Sequence, residues 1–333
     1  MVSTPAKLPP DDRHTGTLRT GSMVSAYRIE RLLGTGGMGW VYRATHVLDD
    51  RQVALKVLRE DQLRQERGID RMMREAQILA TAAHGGIPQF YECGLLCDGR
   101  PWIAMELIAG TPLSLRIAEC AMEHQSVIEL VGNVASVLAA AHRRGVTHRD
   151  LKPDNVLLTP TDATYPLRVI DWGIAHQVAG ARYTHHDEAI GTPTYMAPEQ
   201  ARGGPSEGHC DVYGLGVVAY QALAGRPPFV GKTSVEILVQ HLNKPVPPLA
   251  PRCPEAPHGL VELVERMLVK DFEQRPTAAD VVESIAKLRS ELAVPTYVYW
   301  ADEGTEPRPR VEIEGEPTPA TVPIRPPIAA IED

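Results

Sequence analysis

Between residues 34 and 39 the chain reads Gly34-Thr35-Gly36-Gly37-Met38-Gly39, a G-x-G-x-x-G run whose flanks limit what can be built around it. Upstream, Tyr27, Ile29, Arg31 and Leu33 alternate with their neighbours as a strand does. Downstream, Trp40-Val41-Tyr42 is again strand-like. A dinucleotide-binding fold would place these glycines between a strand and a helix. Strands on both sides predict instead a hairpin whose glycine backbone can approach phosphate groups. A third strand runs from Gln52 to Leu58, with Val53, Leu55 and Val57 on one face and Ala54 and Lys56 on the other. A lysine on the inward face is suited to holding phosphate oxygens. Its charge needs a counter-ion in a half-buried site, and Glu75 on the next helical segment is the natural one.

The periodicity then changes. Residues 66–83 read as a helix, with Ile69, Met72, Met73, Ala76 and Leu79 at helical spacing and the Met72-Met73 pair expected in the core. Strands near 88–94 and 101–107 complete a small sheet. Beyond Gly110-Thr111-Pro112 the chain turns mainly helical, with helices expected over 126–144, 211–224, 235–242, 260–268 and 278–292. The last carries a start signal, Thr277 followed three residues later by Asp280. The most apolar stretch, Val212 to Leu223, is shorter than the roughly 20 residues a membrane span needs and reads as a buried core helix. Residues 1–24 and 294–333 are rich in Pro and charge and are expected to lack stable structure. The C-terminal run from Pro295 holds eight prolines and carries −5 of the chain's net charge of −8. That overall charge argues against a nucleic-acid partner held by phosphate attraction. Five scattered cysteines read as reduced thiols, and Cys93 and Cys97 lack a second pair at zinc spacing. Neither a signal peptide nor a membrane span is evident, so a cytoplasmic protein is expected.

Further motifs follow in order: His148-Arg149-Asp150-Leu151-Lys152-Pro153-Asp154-Asn155, then Asp171-Trp172-Gly173 after a strand-like Arg168-Val169-Ile170, then Ala197-Pro198-Glu199. With the glycine loop, Lys56 and Glu75, this order resembles that of the eukaryotic-type Ser/Thr protein kinases, and the wording is most similar to bacterial members. The resemblance covers about residues 27–293. It implies an α+β, two-lobe protein-kinase fold. A small antiparallel-sheet lobe with one main helix would occupy 25–109, and a larger, mainly helical lobe 110–293.

The resemblance also implies roles. Gly34 to Gly39, Thr35 and Met38 included, would close over ATP phosphates. Lys56 would hold the α- and β-phosphates and pair with Glu75. Asp150 would accept the proton of a substrate hydroxyl, and Lys152 would steady the γ-phosphate. Asn155 and Asp171 would coordinate magnesium, or manganese in its place, through hard oxygen ligands. Val41, Ala54 and Leu157 would sandwich the adenine, with Met105 as gatekeeper and Glu106 and Ile108 giving backbone hinge bonds. Glu199 would pair with Arg275, and Asp211 would brace the catalytic loop. The substrates implied are Ser and Thr hydroxyls of proteins, with homodimerisation through the small lobe. For regulation, Arg149 would receive an activation-loop phosphate. Thr184 is the only Ser or Thr between Gly173 and Gly191 and is the candidate autophosphorylation site. Thr192 matches the threonine that positions substrate beside the catalytic Asp and Lys.

Trp172 departs from the usual Phe, and its larger ring needs room and a partner for its N–H. The hinge run 108–112 lacks an acid for the ribose, and the interval 159–167 reads as a surface extension. His185-His186-Asp187-Glu188 reads as a solvated face. The rivals are a pseudokinase, favoured only by Trp172 and opposed by the presence of Lys56, Asp150, Asn155 and Asp171, and an adaptor built around the Pro-rich tail. Lys152 argues against tyrosine specificity.

Overall fold

The computed structural model describes residues 17–36, 39–63, 68–81, 84–159, 165–172, 193–204 and 207–292, with the side chains of residues 68, 70, 71, 74 and 75 outside that description. The first part is a six-stranded antiparallel sheet. Its strands are β1 (Met23–Val24), β2 (Tyr27–Thr35), β3 (Gly39–His46), β4 (Gln52–Leu58), β5 (Phe90–Leu95) and β6 (Pro101–Glu106), in the order β1-β2-β3-β4-β6-β5. Two helices, α1 (Glu60–Leu63) and α2 (Gly68–Thr81), lie in the connection between β4 and β5. The second part holds α3 (Leu113–Glu119), α4 (His124–His142), α5 (Pro198–Ala201), α6 (Gly208–Ala224), α7 (Ser234–Asn243), α8 (His258–Met267) and α9 (Ala278–Leu292). A small antiparallel sheet of β7 (Thr111–Pro112), β8 (Val156–Leu158) and β9 (Leu167–Val169) lies at its start. This is the expected α+β, two-lobe arrangement.

The two-residue alternation of β4 explains how the sheet serves two cores. Val53, Leu55 and Val57 pack with Tyr27, Trp40, Tyr42 and Trp102 in a cluster confined to the small lobe. Leu58, on the opposite face with Ala54 and Lys56, joins the main core, which also takes in Met72, Leu79 and Ile103 and continues into α4, α6, α8 and α9. One face of the strand therefore closes the small lobe, and the other points Lys56 toward the large one.

The large lobe is built round α6. It is buried along nearly its whole length, including Asp211 and both glycines at 214 and 216. It ends where Gly225 takes φ +73°, a conformation open to glycine at little cost. The expected capping box on α9 forms: Asp280 accepts the Thr277 N–H at 2.8 Å, and Thr277 Oγ1 accepts the Asp280 N–H at 3.2 Å.

Two expectations are corrected, and one helix is added. The sheet begins at Met23 and Leu18 N already donates to Tyr42 Oη, so the unstructured N-terminal segment cannot extend to residue 24. Met73 is exposed while Met72 is buried: adjacent helical residues point about 100° apart, and here only Met72 falls on the covered face. Helix α3 was not foreseen, since it buries only Leu113 and Ile117, too short a stripe to show a period.

An ion pair fastens α9 to α4. The Glu129 carboxylate, almost fully buried, accepts from Arg289 Nη2 at 2.5 Å. Arg289→Met would leave that carboxylate buried without its cation and should destabilise the fold by about 3 kcal/mol at neutral pH. Burial already pushes the Glu129 carboxyl above its ordinary value, against the pull of Arg289. Protonation then removes the stranded charge, so in urea unfolding the deficit should be full at neutral pH and shrink as pH falls through that raised value. A deficit independent of pH would show that the lost charge is not its origin.

Candidate active site

Lys56, on β4, donates to Asp171 Oδ1 at 2.9 Å across 115 residues of sequence. Asp171 follows β9 and sits at φ +55°, a left-handed conformation that costs a non-glycine residue about 1 kcal/mol and needs outside support. The Lys56 ammonium, working against desolvation, holds the Asp171 carboxyl below its ordinary value, so it stays ionised near neutral pH. Glu75, expected to pair with Lys56, lies on α2 with its side chain outside the described residues, as are Gly37, Met38, Thr184 and Thr192.

Behind Asp171, the indole of Trp172 is buried and its N–H donates to Val169 O at 2.8 Å. The ring meets His148 edge-on at 4.9 Å between centroids. The room and the partner that the larger ring needs are thus both present. His148 itself joins two loops. Its Nε2 donates to Ile170 O at 3.0 Å, and its Nδ1 accepts the Asp150 N–H at 3.3 Å.

Asp150, Lys152 and Asn155 lie on the segment between α4 and β8. Lys152 Nζ donates to Asp150 Oδ2 at 2.8 Å. Desolvation alone would lower the Lys152 ammonium. Asp150 beside it, with Asp171 and Asp154 further off, outweighs that and raises it, so the lysine stays charged. Asn155 Nδ2 donates to Asp150 O at 2.8 Å, which commits the amide nitrogen and turns the amide oxygen into the group left for another partner. An amide oxygen and a carboxylate on neighbouring loops form a hard donor set that fits magnesium or manganese.

Val41, Ala54 and Leu157 lie on three strands, β3, β4 and β8. Val41 is the register partner of Lys56, Ala54 that of Met105, and Leu157 that of Arg168. Gly34 and Thr35 end β2, and Gly36 donates to Gly39 O at 2.9 Å, which closes the glycine turn. A Cβ on Gly39 would lie 2.4 Å from Val57 O, so this strand pair admits only glycine there. Glu106 gives its N–H to Gln89 O at 2.8 Å, so only its carbonyl could meet a ligand. Its carboxylate accepts from Gln89 N and Arg168. Beyond Ile108 the hinge presses onto β8, where a Cβ on Gly110 would sit 2.8 Å from Leu158 O.

The segment that carries Asp150 is anchored by Asp211, at the start of α6. Oδ2 accepts the His148 N–H at 2.8 Å and His142 Nε2 at 2.8 Å, and Oδ1 accepts the Arg149 N–H at 2.7 Å. Burial would raise this carboxyl, but these donors and the nearby imidazoles hold it below the usual 3.8. Glu199 and Arg275 form the expected fork, with Nη1–Oε1 at 2.7 Å and Nη2–Oε2 at 2.8 Å. His142 was missed. It ends an apolar helix, and nothing in its neighbourhood signals a partner 69 residues away.

Comparison with known proteins agrees with this geometry. A profile of the protein kinase domain matches residues 27–285. The serine/threonine-protein kinase PknA of Mycobacterium tuberculosis is 35% identical over 281 residues, which is 82% of this chain and 63% of that protein. The serine/threonine-protein kinase PrkC of Bacillus subtilis is 34% identical, over 78% of this chain and 40% of its own length. The chain thus spans less than two thirds of these curated relatives. A crystal structure of the Mycobacterium tuberculosis PknI kinase domain superposes with a TM-score of 0.64 at 27% identity, covering 81% of this chain and 99% of that one.

Asp211→Asn would turn one acceptor oxygen into a donor facing N–H groups. It should destabilise the fold by about 2–4 kcal/mol. Because the folded carboxyl is held below its unfolded value, the stability it brings is whole above about pH 4 and drains as pH falls further. Chemical unfolding of parent and variant across pH 3–7 checks this: the gap between them should close only at the acid end.

Proposed function

The chain belongs to the protein kinase domain family, and we propose that it transfers the γ-phosphoryl group of ATP to serine and threonine hydroxyls of proteins. The observation that carries the proposal is the meeting of Lys56 and Asp171 beside the Asp150–Lys152 pair. When bound, ATP supplies the phosphoryl group and magnesium or manganese neutralises the charge of its phosphates. Lys56 orients the α- and β-phosphate oxygens and passes from Asp171 to them. Asp171 and the Asn155 amide oxygen hold the metal. Asp150 orients the substrate hydroxyl and takes its proton as the new O–P bond forms and the bond from the γ-phosphorus to the β–γ bridging oxygen breaks, with ADP as the leaving group, and Lys152 holds the oxygens of the transferred group. Val41, Ala54, Leu157, Met105, Glu106 and Ile108 receive the adenine. The buried lining of Ala54 and Leu157 supports that role.

Regulation belongs to the same proposal. Arg149 Nε is buried and has no hydrogen-bond partner among the described residues, which supports a role in receiving an anionic group from the activation segment. Thr184 is the proposed bearer of that phosphate, and Thr192 the contact between substrate segment and catalytic loop. The chain acts in the cytoplasm on proteins with Ser or Thr acceptors, and it forms a homodimer through the small lobe. No helix among the described residues is long and apolar enough to cross a membrane.

Phosphate transfer from labelled ATP to the chain and to a basic protein substrate tests the reading. The parent should incorporate label with magnesium and lose it on chelation. Asp150→Asn and Lys56→Met should each cut the rate by about 10²–10⁴-fold. Mass mapping should place phosphate on Thr184. Incorporation that survives both substitutions would place the chemistry elsewhere.

A further inference from the structure

Arg149 is the residue before the proposed base, and it stands at φ +66°. A left-handed non-glycine residue persists only where its surroundings over-determine it. Its N–H is held by Asp211 Oδ1 at 2.7 Å. Its carbonyl, which belongs to the peptide plane leading into Asp150, is held from the other side: Gln200 Nε2 donates to Arg149 O at 2.9 Å. The same amide accepts the Ala197 N–H through Oε1 at 3.0 Å. Ala197 N can only donate and Arg149 O can only accept, so the two bonds allow just one orientation of the amide.

Gln200 is the third residue of α5, and its bond to Ala197 N is half of a capping box. A cap alone would need only the acceptor oxygen. The donor half reaches 51 residues back, into the segment that carries Asp150. That segment is therefore pinned on two sides. Asp211 supplies the fixed anchor in the core, and Gln200 ties it to the Ala197–Glu199 turn, which Arg275 locks through Glu199.

We propose that Gln200 is a positioning residue for phosphoryl transfer: its amide clamps the Arg149 carbonyl, fixes the peptide plane that aims Asp150, and couples that aim to the order of the Ala197–Glu199 turn. This rests on the kinase reading above for its consequence in rate, and on geometry alone for the clamp.

Gln200→Glu separates the clamp from the cap. Glutamate keeps an acceptor for Ala197 N and is favoured in a first helical turn, but it places an oxygen against the Arg149 carbonyl. A purely structural role predicts unchanged or slightly raised stability and unchanged rate. The clamp predicts two other effects in the full-length chain. Amide hydrogen exchange in the peptide spanning 148–152 should speed up by about tenfold, with exchange in α6 and the melting temperature held near the parent's. The kcat for a protein substrate should fall by about tenfold while the KM for ATP stays within about twofold. Gln200→Met, which loses both bonds, should match it in kcat and also lower the melting temperature. Parent exchange rates at 148–152 in Gln200→Glu overturn the clamp whether or not the protein transfers phosphate. Faster exchange with an unchanged kcat overturns the positioning role. An inactive parent that still shows faster exchange in the variant would sink the kinase reading, and with it any role in rate, while leaving the clamp standing.

Discussion

A buried carboxylate at the start of α6 is the constraint on which the active site depends. Removing an aspartate from water costs several kcal/mol unless it is fully bonded. Asp211 is satisfied by two backbone N–H groups and one imidazole, and those donors can be presented together only if residues 148 and 149 fold back over the helix end. That folding sets Arg149 in its left-handed conformation and brings His148 under Ile170. From there the imidazole reaches both loops that carry carboxylates, one through Asp150 N and the other through Ile170 O. The carboxylates of Asp150 and Asp171 are in this sense suspended from one helix.

The same helix end holds the Ala197–Glu199 turn. Arg275 bonds the His209 carbonyl at 3.1 Å as well as both oxygens of Glu199, so the turn at 197–199 is fastened to the frame that holds the catalytic segment. The small lobe enters by a different route. The period-two pattern of β4 spends one face on the lobe's own core and leaves the other to deliver Lys56. Val169 N bonds Gly86 O at 2.8 Å, which ties β9 to the connection after α2 close to where Lys56 meets Asp171.

Much of this was legible in the amino-acid sequence, for a physical reason. Gly39, Lys56, Asp150, Asn155 and Asp171 sit in short runs where residue type, spacing and neighbours all carry the meaning, and α6 shows itself as an apolar run of helical length. The α9 cap was legible because Thr277 and Asp280 are three residues apart and satisfy each other. His142 and Gln200 were not, though both stand in plain view. Each acts through a partner dozens of residues away, and a lone polar residue beside an apolar helix or a turn gives no sign of which carbonyl or carboxylate the fold will bring to it. Met73 failed differently: helical spacing alone cannot tell which flank of a stripe the sheet covers. Trp172 lies between these cases. Its need for a partner could be stated from the indole alone, but the Val169 carbonyl that answers it required the turn to be seen.

The most direct test of the account is a crystal structure of the chain with a non-hydrolysable ATP analogue, magnesium and a serine peptide. The account predicts metal density on Asp171 and the Asn155 amide oxygen, Lys56 on phosphate oxygens, and the serine hydroxyl within about 2.6–3.2 Å of an Asp150 carboxylate oxygen. Nucleotide bound away from Lys56, or a serine held out of reach of Asp150 while Asp211 keeps all its bonds, would contradict it.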